Sequence, residues 1–462
     1  MHPVIAIVGR PNVGKSTLFN KLTLSRDALV HDYPGVTRDR QYGQGRLGEK
    51  PFIAIDTGGL AGEELGLDGK MAVQAWLAVE EADHVLFIVD AKAGLTALDE
   101  DIILSLRKLG KPVRLVVNKI DGRNIEDVQG EFAYLGFANI SYIAASQNKG
   151  ILSLIQEVLN DYVIDDENVI EQRADGRIKV AVVGKPNVGK STLINRILGE
   201  ERVVAFDQAG TTTSSIYIPF ERDGHEYTLI DTAGVRRKGK VDNALEKFSI
   251  IKTLQAIEET NVVILLIDAH EGLSEQDLKL IGFVIEAGKA LVLVVNKWDG
   301  LDDYDKNTIK SEIDRRLGFV DFARLHYISA LHGTGVGLLY DYIHEAYDSS
   351  WINLSSSKLT KILEDAITAH QPPLVKGRRI KLRYAHMGGQ NPPIVIIHGN
   401  QTEQVPGSYK KYLINYFRKA LKIVGTPIKI QFKTGDNPYE GKKNQLTDRQ
   451  IQKKKRLFKR NK

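Results

Sequence analysis

At 462 residues the chain is too long for one ordinary hydrophobic core, so about three domains are expected, with the apolar, aromatic and charged fractions (42%, 7% and 26%) of a globular protein. The absence of cysteine excludes disulfides and thiolate metal sites and is compatible with a reducing cytoplasm, and the 11 histidines lack metal-ligand spacing. The net charge of +5 is unevenly placed: Lys358–Lys462 holds 24 Lys or Arg against 6 Asp or Glu, an excess of +18, which leaves −13 on residues 1–357. Such a basic C-terminal segment points to a polyanionic partner, nucleic acid first. No apolar run approaches the roughly 18–20 residues of a membrane span, and a first strand at Val4 leaves no room for a leader peptide. A cytoplasmic, monomeric protein with no membrane partner is expected.

In chain order, the apolar strand Val4–Val8 runs into Gly9-Arg10-Pro11-Asn12-Val13-Gly14-Lys15-Ser16, and a helix opens at Thr17. This is G-x-x-x-x-G-K-[ST] between a strand and a helix, the context its chemistry requires. Glycines let successive N–H groups converge on phosphate oxygens at a helix N-terminus. Lys15 would reach the β- and γ-phosphates, and the Ser16 hydroxyl would hold Mg²⁺. Strands at Phe52–Ile55, Val85–Val89, Val113–Val117 and Ser141–Ala144 alternate with helices such as Asp99–Leu109 and Ile151–Leu159. The pattern predicts an α/β domain over 1–160, a mostly parallel sheet with helices on both faces and ligand loops at the strands' carboxyl ends. Residues 161–176, with Asp165-Asp166-Glu167, read as an acidic linker.

From 177 to 350 the pattern repeats. Gly184-Lys185-Pro186-Asn187-Val188-Gly189-Lys190-Ser191 lies 175 residues beyond the first P-loop, after Val180–Val183 and before a helix at Thr192. Lys190 and Ser191 take the roles of Lys15 and Ser16. Asp56-Thr57-Gly58-Gly59 returns as Asp231-Thr232-Ala233-Gly234, again after a strand; the Asp would hold Mg²⁺ and the last Gly would offer its N–H to the γ-phosphate. Thr37 and Thr212, also 175 apart, could close on Mg²⁺ and the γ-phosphate. Asn118-Lys119-Ile120-Asp121 and Asn296-Lys297-Trp298-Asp299 end buried strands. Asp121 and Asp299 can each accept from guanine N1–H and the N2 amino group together, a donor pair that adenine lacks. At Ala144-Ala145 and Ser329-Ala330 a backbone N–H could meet the guanine carbonyl. This is a duplicated guanine-nucleotide domain. Leu60 and Val235 stand where Ras-like enzymes place a water-orienting glutamine, so that function must come from elsewhere.

Residues 351–440 read as a small α+β domain in the order α-β-β-α-β. Ser357 would cap its first helix; strands follow at Ile380–Tyr384 and Ile394–His398, then a helix at Tyr409–Val424 and a strand at Pro427–Lys433. Arg378, Arg379, Lys381 and Arg383 are expected on one strand and Lys410, Lys411, Arg418, Lys419 and Lys422 on one helix, a density of cations suited to RNA phosphates. No GXXG loop sits between helices, which favours shape and phosphate contact over sequence reading. Residues 441–462 form a basic tail, disordered until bound.

The paired motifs and the basic third domain resemble the bacterial tandem-GTPase family Der, or EngA. The resemblance runs from residue 1 to about 440, and its KH-like part rests on Arg379-Ile380-Lys381-Leu382-Arg383-Tyr384-Ala385-His386, Gly388-Gly389-Gln390-Asn391-Pro392-Pro393 and Ile397-His398-Gly399-Asn400-Gln401. It implies GTP hydrolysis, assembly of the large (50S) ribosomal subunit and its precursors, and ribosomal RNA contacts. Potassium-stimulated relatives place an asparagine matching Asn12 and Asn187 against K⁺, whose charge would replace an arginine finger. The second repeat departs from the family switch pattern: Pro34-Gly35-Val36-Thr37-Arg38-Asp39 becomes Ala209-Gly210-Thr211-Thr212-Thr213-Ser214. The loop Arg236-Arg237-Lys238-Gly239-Lys240 is either an RNA grip or a plain solvated loop. Two functional readings follow: a GTP-hydrolysing switch that repositions the basic domain on RNA, or an RNA-binding scaffold whose nucleotide is structural.

Overall fold

The computed structural model describes residues 2–23, 41–45, 47, 48, 50–57, 76, 78–162, 176–199, 203–205, 216–231, 250–375 and 378–434. It divides into two compact units, Met1–Ile352 with Ile423–Pro427, and Asn353–Lys422 with Ile428–Lys462. Among the described residues no helix is long and apolar enough to cross a membrane.

The first unit contains two sheets of one design. In the first, β1 (Val4–Val8), β2 (Gln41–Gly45), β3 (Phe52–Asp56), β4 (His84–Asp90), β5 (Val113–Asn118) and β6 (Ile140–Tyr142) lie in the order β2-β3-β1-β4-β5-β6. All neighbours are parallel except β2 and β3. β1, β3 and β4 are buried along their whole length, which is why they read as continuous apolar runs rather than as alternating ones. The helices are α1 (Lys15–Thr23), α2 (Ala97–Lys108), α3 (Ile125–Ala133) and α4 (Ile151–Asn160).

The second sheet runs β13-β12-β11-β7-β10-β9-β8. Its strands are β7 (Ile178–Gly184), β8 (Val203–Ala205), β9 (Ile216–Arg222), β10 (His225–Asp231), β11 (Val262–Asp268), β12 (Ala290–Asn296) and β13 (Arg324–Tyr327). The antiparallel pairs β8–β9 and β9–β10 form one flank. Its helices are α5 (Lys190–Leu198), α6 (Ile250–Glu259), α7 (Glu275–Ala287), α8 (Asp303–Arg316) and α9 (Leu339–Ser350). In each sheet the chain leaves the central strand (β1 or β7) for one side and then crosses to the other, so the P-loop sits at a reversal of strand order where open α/β sheets bind ligands.

The second unit is α10 (Ser356–Ala369), the short ladder β14 (Leu374–Val375) with β15 (Arg378–Arg379), then β16 (Lys381–Gly389), β17 (Ile394–Asn400), α11 (Gly407–Leu421) and β18 (Lys429–Thr434). The sheet order is β16-β17-β18, antiparallel and then parallel. Three expectations are corrected. Ser355, not Ser357, caps α10, its side chain accepting from Lys358 N–H at 3.4 Å. Arg378 and Arg379 belong to a separate ladder from Lys381 and Arg383. Lys422 lies beyond α11 in the left-handed conformation, φ 53°.

Three histidines are biased toward the neutral form, His84 buried and His2 and His344 half-buried. His2 is pushed down to about 4 by burial, with Lys289 and the N-terminal amine adding to it. His84 is lowered by burial and Arg114, His344 by burial and His225. A histidine whose folded pKa is depressed lets the unfolded chain take its proton first, so stability is lost as pH falls below about 6.5 and continues to fall until about 4. Unfolding midpoints measured from pH 7 to 4 should fall over that window, and His344→Phe should flatten the slope; a midpoint constant down to pH 5 would contradict this.

Candidate functional site

Each P-loop glycine before the lysine has a conformation open only to glycine. Gly14 and Gly189 have φ +102° and +100°, and a Cβ on either would come within 3.0 Å of Nδ2 of Asn118 or Asn296. Those asparagines are the first residues of the N-K-x-D motifs, and both are buried. Asn118 Nδ2 donates to the Val13 carbonyl at 2.8 Å, and its Oδ1 accepts from Ala145 N–H at 3.0 Å. Asn296 does the same with the Val188 carbonyl (2.8 Å) and Ala330 N–H (2.9 Å). The asparagine is therefore a cross-brace between the phosphate loop and the loop after the last strand of the sheet.

The N–H groups expected to face the base are thus engaged here. Ala145 and Ala330 donate to the braces, while Ala144 and Ser329 donate to Lys149 and Thr334 carbonyls at 3.1 and 3.0 Å. Lys119 and Lys297, both left-handed at φ 64° and 63°, return their side chains toward the sheet. Lys119 Nζ lies 2.7 Å from both the Asn12 carbonyl and Asp90 Oδ2, and Lys297 Nζ lies 2.6 Å from Asp268 Oδ2. Burial alone would raise the Asp90 carboxyl, but bonds from Lys119 and the Lys92 N–H hold it below the usual carboxylate value. Sequence reasoning missed Asp90 and Asp268. Their signal is that each ends a buried strand and the two stand 178 residues apart, the displacement of the N-K-x-D motifs.

Asp121 and Asp299 lie at the rim. Asp121 accepts from Lys92 Nζ at 2.6 Å, which lowers its pKa; Asp299 is lowered by a hydrogen bond from Ser329, with His332 Nε2 3.2 Å away. Both present ionised carboxylates at neutral pH. Trp298, where the first repeat has Ile120, packs on Tyr327 with ring centroids 4.2 Å apart.

Lys15 and Lys190 are buried and donate to carbonyls of their own loops, Lys15 to Arg10 (2.7 Å) and Lys190 to Lys185 (2.7 Å) and Gly184 (3.2 Å). Burial, with Arg10 adding to it and the charge of Asp56 opposing it, lowers the Lys15 ammonium to about 8. Asn12 and Asn187 are left-handed at φ 65° and 62°, a backbone need that asparagine meets at low cost whatever its side chain holds. Ser16 is exposed at the start of α1, and Asp56 is buried at the end of β3. Thr57 Oγ1 donates to the Ile7 carbonyl at 2.8 Å and so ties β3 to β1.

A second pair escaped the sequence. Thr96 and Asp99 form the capping box of α2, and Ser274 and Asp277 that of α7. Both aspartates are fully buried, and each meets the first variable residue of a P-loop: Arg10 Nε to Asp99 at 3.2 Å, Lys185 Nζ to Asp277 at 3.6 Å. Lys185 also reaches Glu271 at 2.8 Å. The local [ST]-x-x-D pattern signals the cap, but its bond to the P-loop is long-range.

Thr37, Gly58, Gly59, Leu60, Thr212, Thr232, Ala233, Gly234, Val235, the basic loop 236–240 and the tail lie outside the described residues. Of Asp231 only the backbone is described, at the end of β10. In the second unit Lys381, Arg383, Lys410, Lys411, Lys419 and Lys422 are exposed and Arg418 is half-buried.

A family model described as "50S ribosome-binding GTPase" matches residues 4–119 and again 179–297, and one described as "KH-domain-like of EngA bacterial GTPase enzymes, C-terminal" matches 353–433. Curated relatives match over nearly the whole length. A protein of Hahella chejuensis named GTPase Der is 58% identical over 99% of this chain and 97% of its own. Its namesake in Thioalkalivibrio sulfidiphilus is 59% identical over 99% of each.

Proposed function

The chain belongs to the GTPase Der family of GTP-hydrolysing tandem G-domain proteins, and from that premise we propose that it is a nucleotide-driven switch in assembly of the large ribosomal subunit. In this reading G domains over 1–160 and 177–350 reposition a KH-like domain, 351–440, on ribosomal RNA of precursor particles. The observation that carries it is the repeated brace: in both sites one buried asparagine of the N-K-x-D motif ties the phosphate loop to the loop after the last strand, in a chain whose residues 358–462 carry an excess of +18. Two phosphate-binding loops in one chain with a strongly basic C-terminal segment are parts that a switch needs.

Lys15 and Lys190 release their loop carbonyls and turn to the β- and γ-phosphates. Oxygen donors at Ser16 and Asp56, beside the first P-loop, suit Mg²⁺, with Thr37 closing the set; Ser191, Asp231 and Thr212 match them in the second site. Held by these residues, Mg²⁺ would neutralise charge on the phosphates. Asn12 and Asn187 are the residues that would face K⁺. Water would attack the γ-phosphate in line, and because Leu60 and Val235 cannot orient it, its positioning must come from other groups of the site.

Large subunits sedimented with the protein in potassium buffer test this. Binding with a non-hydrolysable GTP analogue but not with GDP is the expected result; equal binding in both states, or none, would refute the switch.

A further inference from the structure

The cations singled out in the sequence are not the whole of what the C-terminal unit offers a nucleic acid. Side chains alternate between the faces of its sheet. Ala385, Val395, Ile397 and Ile430 are buried on one face, with Ala385 and Ile397 paired in register. The pairs next along the strands, Tyr384 with His398 and His386 with Ile396, belong to the other face. There the rings assemble. Tyr384 and His398 stack with centroids 4.4 Å apart and planes 5° from parallel, and His386 lies 5.1 Å from His398 at 27°. Tyr384 is 46% exposed, among the exposed large hydrophobic side chains.

The surroundings fit an anionic strand. β16, β17 and β18 carry Lys381, Arg383, Lys429 and Lys433 and not one Asp or Glu. Lys433 pairs with His398 in register, next to the stack. Partial burial, His386 and Lys433 lower the pKa of His398, which keeps its imidazole neutral at pH 7 and free to stack without repelling the cations.

We propose that the Tyr384–His398–His386 stack is a platform for an unpaired base of single-stranded RNA, with Lys381, Arg383 and Lys433 holding the adjoining phosphates. A π-face beside cations is how sheets bind single strands with little sequence preference. In an A-form duplex the bases are stacked inside and cannot reach such a ring, so duplex RNA gains the cations but not the platform. This rests on the reading of the C-terminal unit as RNA-contacting, but places base contact on the sheet rather than on the basic helix α11.

Fluorescence anisotropy of the full-length protein with a short labelled oligoadenylate and with a blunt RNA duplex tests it. Tyr384→Ala should weaken oligoadenylate binding about tenfold or more while changing duplex binding little. Tyr384→Phe, which keeps the ring, should bind as the parent does, and GDP binding by all three proteins should match. Tyr384→Ala with parental oligoadenylate affinity would overturn the platform, as would equal loss on the duplex or loss in Tyr384→Phe equal to that in Tyr384→Ala. If the parent binds neither RNA, the RNA reading of the whole unit fails with it; if it binds both and only the variants disagree, that wider reading stands.

Discussion

Gly14→Ala should abolish nucleotide binding at the first site and leave the second intact. The added Cβ falls within 3.0 Å of Asn118 Nδ2, and the backbone there is left-handed. Asn118 cannot yield as a surface side chain would, because it is buried with both ends of its amide bonded. Forcing an L-residue into that conformation costs about 1–2 kcal/mol, and a broken buried hydrogen bond about 1–3. Together these correspond to a loss of roughly 30-fold to a few thousand-fold in affinity. Titration with fluorescent GDP reads it directly: the variant should saturate at one nucleotide per chain, and Gly189→Ala should silence the other site. Two nucleotides bound at parental affinity would mean that the brace does not shape the phosphate loop.

The second large effect is expected at the base. Asp121→Asn removes a carboxylate that is ionised and lies at the rim of the first site, where it would take two charge-assisted hydrogen bonds from guanine. Each is worth about 1.5–3 kcal/mol, so GTP should weaken there by roughly 10²- to 10⁴-fold. Xanthosine triphosphate should gain, because the new amide donates where the base now has a carbonyl. Competition binding with the two triphosphates measures the switch in preference. Lys92 bonds Asp121 in this structure, so Lys92→Ala is the control: it removes that ion pair and should leave guanine preferred. A preference for guanine that survives in Asp121→Asn would move base reading to another residue.

Much of this was legible because the chemistry is local. The P-loops, the N-K-x-D runs and the strands that precede them are contiguous, and strands buried on both faces announce themselves as apolar runs. What escaped was of two kinds. The edge strands β2 and β8 are short or poor in apolar residues; Gln41-Tyr42-Gly43-Gln44-Gly45 forms a strand because β3 offers it a partner, not because its residues favour one. The second kind is contact across sequence. Asp99 and Asp277 read as helix caps, and nothing near them shows that Arg10 and Lys185 lie against them. Asn118 was assigned to nucleotide by its motif, whereas its bonds in the fold go to Val13 and Ala145. At α10 the three serines 355–357 are equivalent as caps until backbone geometry selects Ser355.

The ring pair of Trp298 and Tyr327 has a spectroscopic consequence. The indole lies between Lys297 and Asp299 in sequence, so a purine held at the Asp299 carboxylate would change its local field and quenching and with them its emission. Ile120 holds that place in the first site and is optically silent. The duplication thus carries its own label: with only three tryptophans in the chain, stopped-flow emission would time the filling of the second site while both sites compete for the same nucleotide.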